Sequence, residues 1–277
     1  MPDLKTKQQL ADAAKMLTQS YSMVLRGGTI FIPVHWQTMS PDPPPMPDER
    51  VWLALTREEK QQLANLKANI LFTSDSEFRS FDYMLKQLSS KDEGTPSSIL
   101  IRTPQGLREL DGTGTLMPPS GTFVPNFVKP MLNEDPAAKQ EVLDVIAGWL
   151  NSADEARSLL HHLATILAPG WSAVKYVILT GEGRNGKSTL LLMLNELIGQ
   201  MNISNVTRQM IAEQSPTCAE LNNKLVNIIM DGQMAYIKDS SMEKTLVAGE
   251  RAVVRMLYES GTTPVQTNAL LIEALQQ

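Results

Sequence analysis

Eight consecutive residues have the types and spacing needed to bind phosphate. They run from Gly181 to Ser188 as GEGRNGKS and match the pattern GxxxxGK[ST] of the P-loop, or Walker A motif. Its glycines let the backbone curl so that N–H groups point at phosphate oxygens, and a following helix adds partial positive charge. In such loops the lysine, here Lys187, reaches the β and γ phosphates, and the hydroxyl, here Ser188, binds Mg²⁺. The sequence therefore predicts that ATP or a related nucleoside triphosphate binds here with Mg²⁺.

The segments on either side of this motif favour the same interpretation. Residues 175–180, KYVILT, have the composition of a buried strand, and residues 189–198 have the leucines of a buried helix. A strand, a glycine loop and a helix in that order are the expected context of a P-loop, and the alternative is a chance glycine turn before a helix. The residues expected at the nucleotide are Gly181, Glu182, Gly183, Arg184, Asn185, Gly186, Lys187, Ser188 and Thr189.

A second candidate for the site is an acidic residue that ends an apolar run. Residues 225–230 read LVNIIM, and Asp231 follows them. An acid at the end of a strand adjacent to the P-loop strand is the Walker B arrangement, in which the carboxylate holds Mg²⁺ directly or through water. Lys187 and Asp231 are thus the predicted catalytic residues, although an Asp-Gly pair is also common in turns. Gly232 and Gln233 follow, so no second acid is identified that would activate water.

The rest of the chain divides into three predicted regions, 1–90, 91–168 and 169–277. The first is expected to hold helices at 5–25, 56–66 and 77–88, a strand at 29–34 and an exposed proline-rich loop at 40–48. The second should hold a small sheet between Ile99 and Met117, then helices that begin at Asp135-Pro136 and at the capping box of Ser152 and Glu155. The third begins an α/β unit with a parallel sheet.

Composition excludes several classes of protein. The 277 residues contain one cysteine, so an intramolecular disulfide and a cysteine-based zinc site are excluded. No apolar run approaches the roughly 20 residues that span a membrane, so we expect a cytoplasmic protein without membrane partners. The net charge of -5 means that contact with nucleic acid requires a local basic patch or a ring of subunits.

Two motifs resemble those of a known group of proteins. The P-loop reads GEGRNGKST with Asn185 inside it, and KTLVAGERAVVRMLY places Lys244, Gly249, Glu250, Arg255 and Tyr258 in a familiar order. These residues resemble the superfamily 3 helicases of the AAA+ class, in particular the phage and plasmid primase-helicase branch related to the poxvirus primase-helicase. The resemblance extends from Ile99 to Gln277, and it is most specific at the P-loop.

The resemblance implies a fold, an activity and partners. The fold would be an AAA+-like P-loop NTPase with a parallel sheet and helices, preceded by a smaller mixed α+β domain. The activity would be that of an ATP-dependent DNA helicase in phage or plasmid DNA replication. The protein would act as a homo-oligomer, a hexameric ring around single-stranded DNA that could include other replication proteins, in the host cytoplasm if phage-encoded.

The same resemblance assigns a DNA contact to the segment after Asp231. In the family this segment forms a helix and a hairpin that face the central channel, and a capping box of Ser240 and Glu243 would begin that helix. Lys244 and Arg255 are the residues expected to contact DNA or to sense the neighbouring nucleotide. The alternative is that both are solvated surface side chains.

Two departures from the family limit what the resemblance implies. The strand ALLIEAL is followed by Gln276 and Gln277, where the family usually has an asparagine sensor. The family's arginine finger and closing helices normally lie further on, so we expect an N-terminal fragment or a reduced relative. The region before residue 91 is too short for the family's polymerase-like primase domain, and priming is not expected.

Other functions stay open at this stage. A nucleotide-dependent assembly or DNA-loading module without helicase activity would also use the P-loop, as would another P-loop ATPase or a small-molecule kinase. A kinase requires an arginine-rich lid, which is not evident after Ser188. Trp36 and Trp52 flank the proline-rich loop, where packing is favoured over stacking on a DNA base.

Overall fold

The computed structural model describes most of the chain as two compact units. The described residues are 6–42, 45–46, 49–92, 98–120, 122–131, 135–169, 174, 176–232, 237, 239–255 and 262–275, with backbone only at 129–131. The N-unit is Met1–Gly94 with Gly121–Pro125, and the C-unit is Thr95–Ser120 with Asn126–Gln277. The predicted domain limits at residues 90 and 168 stay predictions.

The N-unit combines three helices with a four-stranded sheet. The helices are α1 (Lys7–Ser20), α2 (Arg57–Ala68) and α3 (Asp75–Leu88). The strands are β1 (Val24–Arg26), β2 (Thr29–His35), β3 (Arg50–Ala54) and β4 (Ser90–Lys91), in the order β3-β2-β1-β4. Thr6 and Thr56 each begin a helix with a complete capping box, and the second of these was predicted.

The predicted helix at 5–25 is too long at its C-terminal end. It ends at Ser20, because Tyr21 has an extended backbone with φ -127° and ψ 137°. Val24 to Arg26 instead pair with β2 as an antiparallel hairpin. Gly27 and Gly28 form its turn with φ of 53° and 81°, a left-handed conformation that glycine adopts without strain.

Trp52 was expected either to pack within the protein or to stack on a DNA base, and the aromatic residues around it in the N-unit distinguish the two. Its side chain is buried, and its ring lies edge-on to Phe123 with centroids 5.0 Å apart. The indole Nε1 donates a hydrogen bond to the carbonyl oxygen of Thr122 at 3.3 Å. Packing is therefore confirmed for Trp52.

The C-unit begins with a small sheet and a pair of helices. The strands are β5 (Ser98–Thr103), β6 (Gly106–Asp111), β7 (Leu116–Met117) and β8 (Phe127–Met131), in the order β7-β6-β5-β8. The helices are α4 (Pro136–Leu150) and α5 (Ala153–Ala164), and a short 3₁₀ helix follows at Thr165–Leu167. Asp135 caps α4 through Ala137 N, with Pro136 at the first helical position, as predicted.

A second sheet of the C-unit is entirely parallel. Its strands are β9 (Tyr176–Leu179), β10 (Ile203–Ser204), β11 (Val226–Gly232) and β14 (Leu270–Leu275), in the order β10-β11-β14-β9. The connecting helices are α6 (Lys187–Ile198), α7 (Arg208–Ala212) and α8 (Ser241–Val247), and β12 (Ala252–Arg255) pairs with β13 (Thr262–Val265) as a separate ribbon. The α/β class is confirmed.

Both faces of the parallel sheet are covered by apolar side chains. On one face, Ile272 and Ala274 of β14 pack in the core that contains the leucines of α6. On the other face, Leu271 packs in a second core with residues of α7, α8 and β12. All six residues of β14 are buried, because the strand lies inside the sheet between β11 and β9.

None of the helices within the described ranges is long and apolar enough to cross a membrane.

Candidate functional site

The glycine-rich segment lies where an α/β sheet presents a binding site. Residues 180–186 connect the C-terminal end of β9 to the first residue of α6, Lys187. In open α/β sheets, ligands bind outside the carboxyl ends of the strands. We call residues 181–188 the phosphate loop. All nine residues expected at a nucleotide lie in this loop or in the first turn of α6.

The backbone of the phosphate loop needs glycine at its first position. Gly181 has φ 141°, and a Cβ there would collide with Nδ2 of Asn185 and lie 3.5 Å from its Cγ. A side chain at Gly181 would thus displace Asn185. Arg184 also has a positive φ of 63°, so the loop curls tightly around the space that the side chain of Lys187 occupies.

The amino group of Lys187 is held by the loop itself. Its Nζ donates to the carbonyl oxygens of Gly181 at 2.6 Å and Glu182 at 3.0 Å, and to Oδ1 of Asn185 at 2.9 Å. These three acceptors are neutral, so the positive charge has no carboxylate partner among them. A phosphate oxygen offers this ammonium group a stronger, charge-assisted bond than an amide oxygen does. The geometry fits an anion that competes for Lys187.

The N-terminus of α6 suits the same anion. Its N-cap is Gly186, which has no side chain to occupy the first N–H groups, and the first turn contains no acidic residue. Ser188 and Thr189 are exposed on that turn, while Leu190 and Leu191 anchor the helix in the core. The first N–H groups of a helix and its partial positive charge favour a phosphate at this position.

Asp231 lies at the same edge of the sheet, but its strand is not adjacent to the loop's strand. The prediction of adjacent strands is wrong, because β14 lies between β9 and β11. Leu179 pairs with Ala274, and Gly232 pairs with Leu275, so the ends of β9 and β11 lie at the same level. Two strand spacings place them about 10 Å apart. Asp231 is exposed at this edge of the sheet.

A buried acidic residue on the intervening strand was missed from the sequence. Glu273 is 2% exposed and packs so closely on Gly232 that a Cβ there would lie 2.5 Å from the Glu273 Cδ. The hydroxyl of Tyr176, on β9, donates to Oε2 of Glu273 at 3.2 Å. The only sequence signal was one charged residue inside the apolar strand ALLIEAL.

Arg208 joins this carboxylate to α8. Its guanidinium donates to both carboxylate oxygens of Glu243, at 2.9 and 3.3 Å, and its Nε lies 4.0 Å from Oε2 of Glu273. It also lies over the ring of Tyr176, 5.4 Å from the centroid. We call Tyr176, Arg208, Glu243 and Glu273 the ionic cluster.

Burial and charge pairing both shift pKa values in the ionic cluster. Burial raises the pKa of the Glu273 carboxyl, and the Tyr176 hydroxyl and the Arg208 charge oppose it only in part. Burial and the neighbouring Glu273 charge raise the pKa of Tyr176. The hydrogen-bonded Glu243 carboxylate raises the pKa of Arg208, so the guanidinium stays charged.

The predicted capping box of Ser240 and Glu243 is wrong. Ser240 makes no side-chain cap, and Glu243 points into the ionic cluster. Asp239 supplies the cap instead, because its Oδ1 accepts a bond from Ser241 N at 2.9 Å, and this bond lowers the pKa of Asp239. An arginine elsewhere in the chain thus outcompetes the local pairing.

The two predicted DNA contacts lie on separate elements of the C-unit. Lys244 is exposed on α8, and Arg255 is exposed at the end of β12. Residues alternate on a strand, so Val253 and Arg255 share the exposed face of the β12/β13 ribbon, and Arg251, directly before β12, is also exposed. Arg251 was missed from the sequence. Gln233, Tyr258, Gln276 and Gln277 lie outside the described residues.

A resident metal centre built from protein side chains alone is not evident. Within the described ranges, no group of three or more His, Cys, Asp or Glu side chains is placed to hold a metal ion. Ser188 and Asp231 stay the predicted Mg²⁺ ligands, and a hydroxyl and a carboxylate are oxygen donors of the kind that Mg²⁺ takes together with phosphate.

Comparisons with known proteins bear on the fold. No protein-family model matches the sequence, and no curated protein matches it. The apo structure of the NrS-1 C-terminal region (305–718) is similar with a TM-score of 0.50 and 13% identity, over 99% of this chain and 58% of that one. A second apo structure of that region gives 0.49 and 13%, over 97% and 56%. The chain therefore spans less than two thirds of these structures.

Proposed function

We propose that this chain is an ATP-dependent DNA helicase of the superfamily 3 type that acts in phage or plasmid DNA replication. The observation that carries the proposal is the phosphate loop, in which Lys187 is gathered by neutral acceptors at the uncapped N-terminus of α6. Asp231 at the same edge of the sheet supports it. The strand that the resemblance places after Walker B corresponds to β14, between β9 and β11.

Each residue of the site has a distinct role in this proposal. Lys187 exchanges its loop acceptors for phosphate oxygens and neutralises their charge. The N–H groups at the start of α6 orient the same phosphates. Ser188 and Asp231 are the residues that would hold Mg²⁺, which when bound polarises the terminal phosphate.

The proposed DNA contact uses the β12/β13 ribbon and α8. A chain with a net charge of -5 needs a local basic surface to bind DNA, and the exposed Arg251, Arg255 and Lys244 are the candidates for it. A homo-oligomeric ring would bring several such ribbons around one strand of DNA and add their charges.

A second candidate, a nucleotide-dependent assembly or DNA-loading module without helicase activity, has one observation in its favour. Gly232 follows Asp231, where many hydrolysing P-loop enzymes have an acid that activates water, and it packs directly on the side chain of Glu273. The Glu273 carboxylate is bonded to Tyr176 and lies near Arg208. A protein that binds ATP without rapid hydrolysis would need no such acid.

The test of nucleotide chemistry is ATP binding and hydrolysis with and without single-stranded DNA. Lys187→Ala should lower ATP affinity or turnover at least about tenfold, because a charge-assisted phosphate contact is lost. Lys139→Ala, at an exposed position on α4, is the matched control and should behave as wild type. Unchanged ATP affinity in Lys187→Ala would overturn the phosphate-loop assignment. ATP binding without turnover, with or without DNA, would favour the assembly module.

The test of the DNA contact is the salt dependence of binding to single-stranded DNA. Arg251→Ala and Arg255→Ala should each reduce the slope of log K against log salt by about 0.7 if each arginine contacts one phosphate. Lys139→Ala again serves as the control. Unchanged slopes in both arginine variants would remove the ribbon from the DNA-binding surface.

A further inference from the structure

Trp149 lies against the phosphate loop. It is the penultimate residue of α4, and its side chain is half-buried. A Cβ built on Gly186 would lie 2.6 Å from Cε2 and 2.8 Å from Cγ of the indole and would collide with Cδ2. The fused-ring bond of the indole therefore packs directly on the backbone of Gly186. A residue with a Cβ at position 186 is therefore incompatible with this contact.

The position of the indole is fixed from the side of α4. Ile146, one turn earlier on the same helix, is 1% exposed and belongs to the apolar core that also contains Leu190, Leu191 and Leu194 of α6. Trp149 packs on the edge of that core. Residues three apart lie on one face of a helix, so α4 presents Ile146 to the core and Trp149 to the loop.

Gly186 is the residue through which a contact can set the geometry of the loop. It is the N-cap of α6, it has φ 85°, and it immediately precedes Lys187. A glycine has many accessible backbone conformations, so something outside it must select this one. The indole packs on the side of Gly186 from which a Cβ would project, so it restricts the backbone movement open to this glycine.

We propose that Trp149 is a positioning residue of the phosphate loop, which holds Gly186 in its left-handed conformation and so aims the first N–H groups of α6 and Lys187 at phosphate. The inference rests on the proposed nucleotide binding at this loop. It adds that the helix pair before the sheet controls the phosphate site. It also makes the indole a reporter, because Lys187 exchanges its bonds to Gly181 and Glu182 when phosphate binds beside it.

The experiment is a double-mutant cycle on the affinity for Mg²⁺-ATP, measured by calorimetry. Gly186→Ala should weaken binding roughly tenfold or more, from left-handed strain and the collision with the indole. Trp149→Ala should weaken binding several-fold. In the double variant the new methyl group has room. The fold-loss of affinity in that variant should therefore be smaller than the product of the fold-losses in the two single variants.

Two conservative substitutions of Trp149 distinguish a role in positioning the loop from a role in folding. Trp149→Phe keeps an aromatic ring at this position and should retain most of the affinity, whereas Trp149→Leu keeps apolar volume in the core and should not. The wild-type protein should also show a change in tryptophan fluorescence on adding Mg²⁺-ATP that is absent in Trp149→Phe. This variant remains informative if Trp149→Ala does not fold.

The outcomes are distinct. Full multiplicativity of the two effects, or wild-type affinity in Trp149→Leu, would overturn the positioning role while the proposed function stands. Failure of the wild-type protein itself to bind Mg²⁺-ATP would overturn the proposed function, and the positioning role would fall with it. A coupled cycle with affinity retained only in Trp149→Phe supports the inference.

Discussion

The phosphate loop and the ionic cluster use cations in opposite ways. Both regions adjoin β9. The phosphate loop follows its last residue, and Tyr176 of the ionic cluster is its first residue. In the loop, Lys187 is bonded to two backbone carbonyls and an amide, so its charge is available to a ligand. In the cluster, Arg208 is bonded to Glu243 and lies near Glu273, so its charge is balanced by carboxylates of the protein itself. Substitutions in the loop should therefore change binding, and substitutions in the cluster should change stability.

The largest effect on stability should come from Arg208→Met. This change leaves Glu243 and Glu273 buried without their cation, and breaking a buried ion pair costs about 3 to 5 kcal/mol. Because the Arg208 side chain is 30% exposed, we expect about 3 kcal/mol in urea unfolding. Arg157→Met, which removes an exposed partner of Asp154, is the control and should change stability by less than about 1 kcal/mol. Similar losses of unfolding free energy in both variants would contradict the structural role of the ionic cluster.

The next effect should come from Gly232→Ala. The added methyl group would overlap the side chain of Glu273, which is buried and held by Tyr176, so it has little room to move. Overpacking of this kind costs about 1 to 3 kcal/mol. Gly148→Ala is the matched control, because a methyl group there would meet open space among the described residues, within α4. That control should be neutral or stabilise by up to about 1 kcal/mol.

A smaller, pH-dependent effect should distinguish Glu273→Gln from wild type. Burial raises the pKa of Glu273 above its ordinary value of 4.5, so the fold favours the protonated form. Its contribution to the free energy of unfolding is therefore present below the unfolded pKa and is lost as pH rises through the folded pKa. Glutamine cannot ionise, so the wild type should lose stability relative to the variant from about pH 4.5 upward. Urea unfolding of both proteins across this range measures the difference, and a constant difference would contradict the pKa shift.

The smallest effect on stability should come from Asn185→Ala in the loop. The change removes one acceptor from Lys187 and the side chain that packs on Gly181, both in a part-exposed segment. Unfolding should change by less than about 0.5 kcal/mol, as at other surface positions. ATP affinity should nevertheless fall several-fold, because the loop loses a contact that shapes it. A loss of stability as large as that of Gly232→Ala would break the comparison between the two regions.

The loop and its neighbouring elements could be predicted because their signals are local. The spacing of glycines and Lys187, the apolar run before them and the leucines after them all lie within one strand-loop-helix segment. The same holds for the N-cap at Asp135, where the carboxylate and the N–H group that it accepts are two residues apart. Short-range patterns of this kind determine helix starts and tight turns.

The strand order and the ionic cluster could not be predicted because they depend on distant partners. A period of alternating or apolar residues identifies β11 and β14 as strands, but nothing local states that β14 lies between β11 and β9. The local partner of Glu243 was the backbone N–H of Ser240. Glu243 binds Arg208 instead, because two hydrogen bonds from a charged guanidinium are stronger than one from a neutral backbone N–H. The strand at Arg50–Ala54 was missed because it directly follows the proline-rich segment.

The central position of β14 has a consequence for synthesis of the protein. Tyr176 and Glu273, which meet across β9 and β14, are 97 residues apart in the chain. At roughly 5 to 20 residues per second, β9 leaves the ribosome about 5 to 20 seconds before its neighbour. During that interval the apolar faces of β9 and β11 lack the strand that joins them. The nascent chain therefore carries a complete phosphate-loop sequence before the central strand of its sheet has been made, so the sheet can close only when residues 270–275 emerge.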